Sequence, residues 1–211
     1  MSQLTTQDRG VIKQLGILTV LWLVAAIIGG VTGVFDQPNK PPLLFGLFLT
    51  VPILGFVAAY LLSERWRLAL NHVPLSWITG IHIARFVGGV FLLYVINHTF
   101  PAEFGLPAGL GDIISAIVAI PLTMALAKGH RSSSLRWRYI AWNIFGLTDL
   151  LLAVTNGLLY SDSVLGMLRH DLSTAALANL PINLIPTFYV PGLILLHFLA
   201  LRRNAEVAKI N

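Results

Sequence analysis

The chain has 211 residues, of which 56% are hydrophobic and 11% charged; the formal net charge is +5 and the mean hydropathy +0.78. A soluble domain carries about 25% charged residues, so an ordinary soluble protein is excluded, as is a disordered chain, which needs few apolar residues. With no cysteine, disulfides, thiolate metal sites, iron–sulfur clusters and cysteine nucleophiles are excluded too.

Crossing about 30 Å of hydrocarbon takes roughly 20 mostly apolar residues in a helix. Charge gaps along the chain mark six such stretches. Residues 14–35 are a charge-free run of 22, and residues 41–63 one of 23. Residues 68–101 carry one charge, Arg85. Residues 113–127 carry none and follow Asp112. Residues 139–160 carry one, Asp149. Residues 172–201 are charge-free over 30 positions, too long for one straight span. The predicted helices lie near 11–35, 43–63, 76–97, 108–127, 138–160 and 182–202. The runs are apolar on all sides, without the two-residue alternation of membrane strands. The expected fold class is therefore all-α: a polytopic membrane protein in which residues 1–211 form a single transmembrane domain, a bundle of six transmembrane helices.

Individual segments add detail in chain order. The first span follows basic residues and contains Val24-Ala25-Ala26, which mimics a secretory signal, but its length predicts an uncleaved helix. Ala25, Gly29 and Gly33 at four-residue spacing form a packing face. In the third span, His82, Arg85 and Gly89 fall on one side at 100° per residue, and Gly80, Ala84 and Gly88 on another. Asp112, after Pro107-Ala108-Gly109-Leu110-Gly111, falls in the first turn of the fourth span, either as a capping carboxylate or as an outer gate or proton acceptor. Asp112, Ala116, Ala119 and Thr123 share a stripe there. In the fifth span Trp142, Gly146, Asp149, Ala153, Asn156, Gly157 and Tyr160 share an arc of about 100°. Residues 164–178 read either as a short interfacial helix or as an exposed loop. The sixth span holds Pro181, Pro186 and Pro191, each removing a backbone donor, and a stripe of Asn183, Thr187, Val190, Ile194 and His197.

Basic loops stay cytoplasmic. With the N-terminus inside, the inner segments hold Arg9, Lys13, Arg65, Arg67, Lys128, Arg131, Arg136, Arg138, Arg202, Arg203 and Lys209, and the outer loops only Lys40 and Arg169. This 11-to-2 bias predicts that both termini are cytoplasmic. The positive charge then faces anionic lipid and calls for no nucleic acid.

Two charges lie within spans, where they cost several kcal/mol and face a partner or a cavity. Arg85 and Asp149 fall at nearly equal depth, so the expectation is that they pair, or share a polar cavity, among the third to sixth spans. His82, Asn156, Asn183 and Thr187 are the hydrogen-bonding neighbours. Arg85 would supply fixed positive charge for an anionic group, and Asp149 would neutralise it or exchange a proton. The leading function is a small-solute or ion transporter with substrate-binding residues Arg85, Asp149, His82, Asn156, Asn183 and Thr187. One alternative is a b-type haem protein ligated by His82 and His197; another is a non-catalytic assembly or sensor subunit. No zinc-protease motif occurs, and a paired-carboxylate hydrolase would need Asp112 beside Asp149, which this reading puts at different depths. Expected partners are the lipid bilayer, a small solute or ion, and a second copy or another membrane subunit.

Residues 85–112, ending in Leu106-Pro107-Ala108-Gly109-Leu110-Gly111-Asp112, together with residues 142–150 (Trp-Asn-Ile-Phe-Gly-Leu-Thr-Asp-Leu) and residues 180–191 with their three prolines, resemble an uncharacterised group of bacterial six-span membrane proteins. The resemblance covers about two-thirds of the chain. It implies a bacterial inner membrane location and brings no activity and no functional residue.

Overall fold

The computed structural model describes residues 6–208; Lys209, counted above among the inner basic residues, lies outside them. The described residues are all-helical, without strands: α1 is Thr6–Val31, α2 Leu43–Leu62, α3 Glu64–Asn71, α4 Leu75–Ile96, α5 Ala102–Ala127, α6 Ser133–Leu159 and α7 Ile185–Arg202. All but α3 are long and apolar enough to cross a membrane. The chain is thus a multi-pass membrane protein. Leu18, Leu21, Leu47 and Leu54 stay more than half exposed along α1 and α2, as lipid-facing side chains do.

The residues form two compact units. The first comprises residues 6–36, 42–74 and 177–195 and the second residues 37–41, 75–176 and 196–208, so α7 gives its residues up to Leu195 to the first and the rest to the second. In the first unit, α1 packs on Ala26, Gly29 and Gly30 rather than on Ala25, Gly29 and Gly33. Phe35 folds back against Gly29, and Asn183 and Leu180 fill the space beside Gly30. Gly33 belongs to the turn after the helix, where it takes φ +69°, a region open to glycine at little cost. The short helix α3 was not expected. Ser63 caps it by accepting from the Trp66 N–H at 3.5 Å, and its Ala69 and Leu70 turn inward. His72 follows it and meets Asp8 at 3.4 Å.

In the second unit, α5 begins five residues earlier than the fifth residue before Asp112 would suggest. It starts at Ala102 after Pro101, and Pro107 lies inside it. That proline forfeits only the bond to the carbonyl of Glu103, an exposed residue at the helix end. Helix α6 likewise starts at Ser133, because the Ser132 hydroxyl accepts from the Leu135 N–H at 3.1 Å and caps it. Residues 161–174 run through turns and bends, with a 3-10 turn at Ala175–Ala178; the interfacial helix over 164–178 does not form. Helix α7 opens later than expected, in a π-turn over Ile185–Tyr189 where the Val190 N–H reaches Ile185 O. Pro186 and Pro191 supply no N–H to the tighter ladder.

The centre of α4 departs most from a regular helix. Its residues His82–Gly89 wind as a 3-10 helix, with three residues per turn, so side chains three apart eclipse one another. Thr79, His82, Arg85 and Gly88 therefore share one buried face. The expected grouping of Gly88 with Gly80 and Ala84, and of Gly89 with Arg85, followed from 100° per residue and fails for this reason.

Candidate functional site

Arg85 is fully buried in the middle of α4, and all three of its nitrogens are engaged. Its Nε donates to Asp112 Oδ1 at 2.7 Å, and an Nη nitrogen donates to Asp149 Oδ2. The other Nη donates to the carbonyl of Gly146 at 3.2 Å and lies 3.3 Å from His197 Nε2. The expected pairing of Arg85 with Asp149 is thus present, but with a second carboxylate. Asp112 is not in a first turn near the outer surface. It is the eleventh residue of α5, roughly 15 Å along it at 1.5 Å per residue, and so reaches the same depth as Asp149. The expected difference in depth between the two aspartates is absent because the helix starts at Ala102, with Pro107 inside it rather than at its start.

Three glycines make this crowding feasible. A Cβ on Gly88 of α4 would fall within the Asp112 carboxylate, and one on Gly111 of α5 within that of Asp149. A Cβ on Gly146 of α6 would stand 2.6 Å from His197 Nε2 and 3.0 Å from Arg85 Nη1. Each of α4, α5 and α6 thus offers a bare backbone patch to the polar side chain of the following helix. The cycle closes on Arg85.

A hydrogen-bond chain settles the state of His197. Asn143 Nδ2 donates to the carbonyl of Tyr139 at 2.8 Å, and a carbonyl only accepts. The Asn143 oxygen must then face His197 Nδ1, 2.9 Å away, and accept its N–H. His197 Nε2 is left bare and accepts from Arg85, so the ring is neutral. Behind it lie His82, whose ring centre is 4.1 Å away, and Trp142 at 5.2 Å. The Trp142 indole donates to Ser115 O at 3.0 Å. Both ring nitrogens of His82 and the hydroxyl of Ser115 are buried without a hydrogen-bond partner.

The haem reading does not fit this geometry. The rings of His82 and His197 lie against each other at 4.1 Å and leave no room for a macrocycle between them, and His197 Nε2 is already taken by Arg85. Among the other expected site residues, Asn156 lies half-buried on α6. Asn183 and Thr187 belong to the first unit, where Asn183 Nδ2 donates to Ala26 O at 3.0 Å and Thr187 Oγ1 to Asn183 O at 2.6 Å. Reading the sequence missed Asn143 and Ser115. Their only signal was a polar residue within an apolar run, one position off the stripe assigned to each helix.

No curated protein and no solved structure matches the chain. The family model described as Domain of unknown function (DUF8737) matches residues 42–204, a range that includes every residue of this centre, and the chain belongs to that family.

Proposed function

We propose that this membrane protein handles a small solute or ion through the polar centre of its second unit, and that it does so with an exchangeable proton. The observation that carries the reading is the pair of aspartates on one buried guanidinium. Two carboxylates against one guanidinium leave one negative charge uncompensated. Deep in a bilayer such a charge costs several kcal/mol, and a proton or a monovalent cation offsets it. Arg85 gives all its nitrogens to protein acceptors, which argues for a cation or proton rather than the anionic group first expected. His82 and Asn156 in the same unit remain the proposed hydrogen-bonding partners of the solute; Asn183 and Thr187, whose side chains bond backbone carbonyls of the first unit, are not proposed as part of that centre.

In this reading both termini are cytoplasmic and the membrane is the inner membrane of a bacterium. The basic bias supports the orientation; Trp77 and Trp137, 72% and 69% exposed near the starts of α4 and α6, fit an interface at those helix ends, on whichever side it lies. Because the chain has no cysteine, single cysteines at Gln37 and Ser134 give a clean test: a membrane-impermeant thiol reagent on whole cells should label the first and spare the second.

The functional test uses protein reconstituted in vesicles with a pH-sensitive dye inside. Wild-type protein should carry protons down an imposed gradient. Asp149→Asn, which keeps Arg85 paired with Asp112, should fold and carry none. A second reading, a non-transporting assembly or sensor subunit, draws on the same saturation of Arg85. It expects no flux from wild type and a membrane partner that co-purifies.

A further inference from the structure

We propose that His82 is a proton relay between the carboxylate pair and the end of the second unit built by Thr79, Tyr139 and Arg203, and that the centre exchanges its proton faster with that end than with the other. The inference rests on the reading above that the centre holds an exchangeable proton.

The two ends of the unit differ in what lies between the centre and the surface. Toward one end, Thr79, His82 and Arg85 follow at three-residue spacing along α4, while Tyr139, Asn143 and Asp149 line α6; all but Asp149 are fully buried. Thr79 Oγ1 stands 3.4 Å from the Tyr139 hydroxyl. Beyond them Arg203 binds Glu206 at 2.9 Å, and the Glu206 side chain is 40% exposed. Toward the other end stand Phe91, Phe100 and Phe104, all buried, with ring centres 5.2 to 5.8 Å apart. A packed aromatic cluster has no hydrogen-bonding group in its rings to pass a proton on.

His82 is the open link in the polar file. A neutral imidazole carries a proton on one nitrogen and a lone pair on the other. It can accept a proton at the bare nitrogen and release the one on the other nitrogen, ending neutral as the opposite tautomer. The released proton passes, through the Ser115 hydroxyl or a water molecule, to a carboxylate oxygen of Asp112 or Asp149. The accepted one comes from water on the Tyr139 side. His197 cannot serve in this way, since its nitrogens are held by Arg85 and Asn143, whereas both nitrogens of His82 are without partners. The charged and titratable groups that face His82 are Arg85 on its own helix and His197 on α7; Asp112 on α5 and Asp149 on α6 stand on the far side of Arg85, and Tyr139 on α6 beyond Trp142.

Infrared difference spectroscopy after a pH jump tests this on protein in lipid nanodiscs, following the carboxylic acid band that Asp112→Asn and Asp149→Asn assign. His82→Phe and His82→Gln should slow the appearance of that band at least tenfold while leaving its final amplitude unchanged. An unchanged rate in either folded variant would overturn the relay. In oriented vesicles the band should respond at least tenfold faster to a pH jump on the Glu206 side than to one on the other side, and equal rates would overturn the preferred access. A wild-type protein with no titrating carboxylic acid band would instead remove the exchangeable proton itself, a distinct result that overturns the reading on which the relay rests.

Discussion

The two units bury polar groups in opposite ways. In the first, the buried side chains of Asn183 and Thr187 bond backbone carbonyls, and Asp8 meets a His72 that is one-third exposed. Each is an isolated solution to a local need. In the second, Arg85, Asp112, Asp149, His197 and Asn143 are joined in one network, so that changing one member alters what its neighbours must do. An isolated bond satisfies one polar group; a network such as that of the second unit sets a shared charge state, which is what the proposed proton exchange needs.

This contrast can be broken at its strongest point by Arg85→Ala, which strands two buried carboxylates. Removing one partner of a buried ion pair costs about 3–5 kcal/mol, and urea titration of the protein in mixed micelles should register a loss of that order. The double change Asp112→Asn with Asp149→Asn, which strands the guanidinium instead, should cost a similar amount. Next comes Gly111→Ala. Its methyl group would displace the Asp149 carboxylate, and overpacking of this kind costs about 1–3 kcal/mol; thermal unfolding followed by circular dichroism would detect it. In the first unit, Asn183→Ala removes a single bond to Ala26 O and should cost about 1 kcal/mol, read by the same melt. The smallest effect sharpens the comparison most. Asp149→Asn alone leaves one carboxylate on one guanidinium, so it should change stability by less than about 1 kcal/mol while abolishing proton flux. Were it to cost as much as Arg85→Ala, both aspartates would be charged at once and the idea of a bound proton would fail.

Much of this architecture was legible from charge alone. Lipid tolerates few charged groups, so the gaps between them outline the six long helices, and two charges left inside spans of matched depth point to Arg85 and Asp149. What escaped depends on where and how tightly helices wind. Pro107 resembles a helix start, yet α5 begins at Ala102, and that shift hid Asp112 as the second carboxylate. The face carrying His82, Arg85 and Gly88 follows three residues per turn, a winding that a periodicity of 3.6 does not anticipate. Asn143 takes part through a bond to a carbonyl of its own helix and a histidine on another, a contact that no stripe on a single helix reveals. The segment 161–174 mixes apolar and charged residues much as an interfacial helix would; tertiary bonds such as Thr174 Oγ1 to Gly157 O at 2.6 Å hold it in turns instead.

The tightened middle of α4 also stores length. Eight residues advancing about 2.0 Å each, instead of 1.5 Å, make that stretch roughly 4 Å longer than ordinary coiling would. Were it to relax to 3.6 residues per turn, the helix would shorten like a released screw and swing Gly88 by roughly 120° relative to His82. The pocket that admits the Asp112 carboxylate would turn away, so the pitch of one short stretch determines whether both acids can stand on the guanidinium together.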